Sequence, residues 1–108
     1  MDKPISFHDS VLVRVEREGA RLRLVFGSVF VDGDLLDAVL VLVDVSKVWR
    51  DDVAVGEFVM EGADGEVLTL ERTAITLFLV LAWCDYQPTR QMTRIYRFEC
   101  GSVDLEIA

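Results

Sequence analysis

VLVRVEREGARLRLVF, residues 11–26, decides the fold. Val11, Val13 and Val15 alternate with polar or bulky neighbours, and Leu22, Leu24 and Phe26 repeat the pattern beyond a glycine. Side chains with period two line one face of a strand, so this is a hairpin with one apolar face. Its register follows from charge. A two-residue Glu18-Gly19 loop would set Arg14 against Arg23. A Gly19-Ala20 loop instead sets Val15 against Leu24, Val13 against Phe26, Glu16 against Arg23 and Glu18 against Arg21. Opposite charges across a pair stabilise by a few tenths to about 1 kcal/mol, and like charges cost as much. Glycine first also suits a type II′ turn. The second register is expected.

The same period continues along the chain. In DAVLVLVDVSKVW (37–49), Val39, Val41, Val43 and Val45 share one face, while Ala38, Leu40 and Leu42 make the other apolar too. EFVMEGADGEVLTLE (57–71) reads as a hairpin with Phe58 and Met60 matched to Leu70 and Leu68 across an Ala63-Asp64-Gly65 loop. TAITLFLVLAWC (73–84) is apolar on both faces, and its branched and aromatic content favours a buried strand over a helix. DYQPTRQ (85–91) is a loop, and MTRIYRFEC (92–100) and VDLEI (103–107) complete the series. The reading is one all-β domain over residues 1–108, about eight short, mainly antiparallel strands forming a sandwich or small barrel.

Composition narrows function. The chain of 108 residues is 52% apolar with a formal net charge of −8. Residues 32–71 hold two basic and eleven acidic side chains, which puts all the excess negative charge in the middle third. Phosphate binding needs a basic footprint, so nucleic acid is not an expected partner. A basic protein is. MDKPISFHDS lacks the apolar core of a signal peptide, and the longest apolar run, Leu77 to Cys84, is far short of a membrane span. A cytoplasmic protein with no membrane partner is expected. Cys84 and Cys100 are too few for a disulfide framework. Pairing 73–84 with 92–100 puts them about eight residues, or roughly 27 Å, apart along the sheet, so two free thiols are expected.

No motif points to catalysis, cofactor or metal. His8 is the only histidine, and in an extended FHDS (7–10) consecutive residues face opposite ways and form no relay. Phe7 then plugs the end of the core. The acidic loops DGD (32–34) and DGE (64–66) lack the twelve-residue calcium pattern and read as turns. The chain is therefore read as a non-enzyme. Candidate partner-binding residues are Asp32, Asp34, Asp37, Asp51 and Asp52, with Trp49, Tyr86 and Arg90 as residue types enriched at binding hot spots. Residues 38–43 and 74–84, apolar on both faces, call for cover, either by a second copy in a homodimer or by a loop such as 49–56. A small barrel holding an apolar ligand is the alternative function.

The F-H-D-S entry, the glycine in the first hairpin turn and the closing F-E-C-G-S-V-D-L-E-I resemble small bacterial all-β families of unknown function, some grouped with immunity proteins that neutralise toxins. The resemblance spans the first thirty and last twelve residues. It implies an all-β fold and a protein partner, and assigns no residue a role.

Overall fold

The structure is a computed structural model that describes residues 5–86 and 89–107. The fold is all-β, with ten strands in one antiparallel sheet that does not close. In chain order they are β1 (Ile5–Ser6), β2 (Val11–Glu18), β3 (Arg21–Val31), β4 (Asp34–Val43), β5 (Lys47–Arg50), β6 (Val53–Val55), β7 (Asp64–Arg72), β8 (Thr76–Tyr86), β9 (Thr89–Glu99) and β10 (Ser102–Ile107). The order across the sheet is β10-β4-β3-β2-β7-β8-β9-β5-β6, with β1 paired to β3. No helix occurs among the described residues, and so none long and apolar enough to cross a membrane.

The sheet falls into two halves, β10-β4-β3-β2 and β7-β8-β9-β5-β6. They are joined by a seam two residue pairs long, Val11 with Glu66 and Leu12 with Gly65, continued by backbone hydrogen bonds of Asp9 and Ser10 with Val67. Inward side chains of both halves, Leu24, Phe26, Leu40 and Leu42 from the first and Leu79, Leu81, Trp83 and Phe98 from the second, share one core. The sheet therefore curls until its halves face each other. At about 25 cal/mol per Å² of apolar surface, burying those side chains is the main stabilising contribution.

The β2–β3 register matches the charge argument: Val15 pairs with Leu24, Glu16 with Arg23 and Glu18 with Arg21. Gly19 takes φ +62° in the turn, where an L side chain is strained. One expectation there fails. A bulge between Leu12 and Arg14 shifts the phase, so Leu12 is fully buried and Val13 is 48% exposed. A bulge adds one residue to one strand and inverts the facing of everything beyond it.

Two further corrections concern the middle of the chain. The strand read over 37–49 is broken: Asp44 adopts φ +55°, β4 ends, and β5 pairs with β9 in the other half. Its other partner is β6, across a turn in which Asp51 and Asp52 have φ +50° and +66°. Positive φ at both central residues is the type I′ hairpin geometry, which aspartate tolerates. The hairpin expected over 57–71 is absent. Residues 56–63 form no strand and run as a strap across the core, which buries Phe58 against Tyr96, Phe98 and Trp83, with ring centroids 4.8, 5.2 and 6.4 Å away. Gly65 lies inside β7, where a Cβ would stand 3.1 Å from the Trp83 ring. That glycine answers to a close approach, not to a turn.

The β8–β9 hairpin is as read, one residue out: Trp83 pairs with Met92 and Thr76 with Glu99. The loop expected over 85–91 is shorter, since 85–86 and 89–91 are paired; Gln87 and Pro88 lie outside the described residues.

Candidate functional site

The acidic residues nominated from sequence divide between the two halves. Asp32 and Gly33, at φ +51° and +88°, make the type I′ turn that joins β3 to β4. Asp34 and Asp37 follow it on β4, and all three carboxylates are exposed and form no ion pair among the described residues. Ser28, at φ +59°, sits in a second bulge that shifts the register between Phe26 and Val29. Beyond it Phe30 and Leu35 pair directly across the strands at 48% and 59% exposure. The hairpin tip thus sets a bare apolar pair among three free carboxylates. Sequence reading found the acids and missed the apolar pair, which alternation alone assigns to neither face.

Asp51 and Asp52 belong to the β5–β6 turn, and β5 is separated from β4 by five other strands. Asp51 is engaged internally: it accepts from the Ile95 backbone N–H at 2.9 Å and from Arg94 Nη1 at 2.7 Å. The Ile95 bond, then the Arg94 guanidinium, hold its carboxyl below the usual carboxylate range. Asp51 therefore caps the turn rather than offering itself to a partner. Trp49 lies half-buried with Arg97 over its ring at 4.2 Å and Lys47 at 5.7 Å. Tyr86 donates its hydroxyl to Asp64 at 2.9 Å, which pushes its own ionisation upward. Arg90 borders an open cleft of about 440 Å³ with Glu61, Trp83, Asp85 and Met92.

Beside that cleft lies a polar cluster that sequence reading did not find. Glu61, on the strap, accepts hydrogen bonds from the Tyr96 hydroxyl and from Arg50 at 3.0 Å, and Arg94 Nε stands 3.6 Å away. Tyr96 in turn accepts from the buried Trp83 indole N–H at 2.6 Å. Burial first, then the bond to Glu61, raise the Tyr96 phenol well above its normal range, so it stays protonated. The cluster fastens the strap to the sheet and exposes no free acid or base. Glu61 and Tyr96 lie 35 positions apart, and no local pattern joins them.

FHDS is a tight turn, not an extended entry. Ser10 N–H donates to the Phe7 carbonyl at 3.0 Å, its hydroxyl to the same oxygen at 2.5 Å, and Asp9 has φ +65°. Phe7 packs edge-on to Phe26 at 5.2 Å in the core, while the His8 side chain is 69% exposed. Cys84 and Cys100 are free thiols near opposite ends of the β8–β9 ladder, and burial raises the Cys100 pKa. Among the described residues no three His, Cys, Asp or Glu side chains are placed to share a metal ion. No family model, no curated protein and no solved structure matches the chain.

Proposed function

We propose that the chain is a cytoplasmic, non-enzymatic interaction module that binds a basic protein partner through the β3–β4 tip. The observation that carries this reading is the exposed Phe30–Leu35 pair set among the unpaired Asp32, Asp34 and Asp37. Apolar side chains that become desolvated supply affinity, and surrounding charge speeds encounter and selects a partner of opposite sign. The concentration of negative charge between residues 32 and 71 adds to the same field. Neutralisation of a basic toxin is the sharpest form of the proposal. An apolar ligand inside the sheet has less support, because Leu12, Leu24, Phe26, Leu40, Leu79 and Leu81 already fill the interior with no exposure.

The test is capture from lysate of the source organism at low and high salt, repeated with two variants. Asp32→Lys/Asp34→Lys/Asp37→Lys should slow association with the captured basic protein steeply at low salt. Phe30→Ala/Leu35→Ala should speed dissociation and weaken binding about thirtyfold. No salt-sensitive basic partner, or one indifferent to both variants, refutes the reading.

A further inference from the structure

The two half-sheets carry different outer faces. On the first, an arginine bridges the outer face. Arg23 reaches Glu16 at 3.3 Å on one side and Glu106 at 3.2 Å on the other, and so spans β4. Its stem passes over Val41, its cross-strand partner, which is only 5% exposed. Val41 at the centre of the outer face of β4 is therefore covered by its own chain, with Val39 and Val43 partly exposed on either side.

The outer face of β8 has no such cover. Phe78, Val80 and Ala82 point outward and are partly exposed, and Ile95, paired with Val80, is 44% exposed. One flank of this apolar centre is acidic, with Glu66 and Glu71 on β7 opposite Ala82 and Phe78. The other flank carries Arg97 on β9 opposite Phe78 and Lys47 on β5 beside Trp49, with one acid, Glu99 of β9, in register with Lys47. None of Glu66, Glu71, Arg97 and Lys47 makes an ion pair among the described residues.

We infer that a second copy of this chain covers this face, in a two-fold dimer whose axis runs along the strands between β8 and β9. Two faces can meet about an axis along the strands or across them. An axis across the strands lays like flank on like, Glu71 over Glu71. An axis along them keeps each residue's level along β8, so Glu71, level with Phe78, comes over the Arg97–Lys47 flank of the partner and these unpaired charges become complementary, while Glu66, level with Ala82, lies beyond them. Like charges placed together oppose association, so the second arrangement is selected. The footprint is at the small end of specific interfaces. The 9 residues of β7, 11 each of β8 and β9 and 4 of β5, at about 3.3 Å by 4.8 Å each, give roughly 550 Å². A standard interface takes about 800 Å² per partner. The dimer leaves both β3–β4 tips free, since they lie on the other half-sheet.

Multi-angle light scattering and sedimentation at 1–100 μM, about the range where interfaces of this size act, should give twice the 12.2 kDa chain mass. Glu71→Lys and Lys47→Glu/Arg97→Glu should each weaken the dimer at least about tenfold. The three changes combined should restore it. Ile95→Asp, at an exposed position, should give a folded monomer by circular dichroism. A monomeric wild type overturns the inference, as does a dimer unaffected by either flank reversal. Weakening by both reversals without restoration in the combined variant overturns the assigned axis and with it the dimer described.

Discussion

Tyr96→Phe removes one oxygen and disturbs both ends of the polar relay that holds the strap. The Trp83 indole N–H, 1% exposed, loses the acceptor it reaches at 2.6 Å. A buried donor left unsatisfied costs about 1–3 kcal/mol. Glu61 loses the phenol as a donor but keeps Arg50 at 3.0 Å, so only part of a charged hydrogen bond, itself worth about 1.5–3 kcal/mol, is forfeited. The sum expected is about 2–4 kcal/mol, or a Tm lower by roughly 10–20 °C for a domain of this size. Urea unfolding followed by fluorescence measures it, in a Trp49→Phe background so that Trp83 is the reporter. The stranded donor can be isolated by adding Trp83→Phe, with unfolding then followed by circular dichroism. That change should cost about 1–2 kcal/mol less in the Tyr96→Phe background than in the chain that keeps Tyr96, since it then removes an indole N–H already without a partner. A loss under about 0.5 kcal/mol for Tyr96→Phe, with no coupling to Trp83, would refute the claim that this relay secures the strap.

Two other outcomes follow from the same geometry. Tyr96 ionises in the folded chain well above its normal value of 10.0, so the unfolded state loses that proton first as pH rises. The Tyr96 contribution is thus complete below pH 10 and declines above it by about 1.4 kcal/mol per pH unit, a slope that Tyr96→Phe should lack in alkaline denaturation series. The phase of β2 gives the second: Leu12→Ala should cost about 2–5 kcal/mol and Val13→Ala under about 0.5 kcal/mol by chemical denaturation, whereas equal losses would contradict the bulge.

How far the sequence could be read depended on whether the deciding interaction was local. The β2–β3 register was legible because Glu16, Glu18, Arg21 and Arg23 lie within one hairpin and their charges discriminate between neighbouring registers. The bulge at Val13 was not, because Leu12 and Val13 are both apolar and either can face the core. The Ala63-Asp64-Gly65 stretch was misread because a glycine demanded by the Trp83 ring looks, in sequence, like one demanded by a turn. Asp51-Asp52 was read as acidic surface in a loop over 49–56, although it makes a hairpin turn usually built from Asn-Gly or Asp-Gly. Of the site, the acids of the β3–β4 tip were visible as charge. The role of Asp51 under Arg94 and the gathering of Glu61, Arg50, Arg94 and Tyr96 depend on pairings that only the folded sheet creates.

The two-pair seam between β2 and β7 has a kinetic meaning. Within each half, β2-β3-β4 and β7-β8-β9 are chain-consecutive hairpins that can zip from their turns in microseconds. The seam joins Leu12 to Gly65, and β10 must return to β4, pairing Leu105 with Leu40. Both steps close long loops before any contact rewards them, which places folding in the millisecond-to-second range typical of non-local β topologies. The search for the seam, not the making of its hairpins, sets the pace at which this chain becomes native.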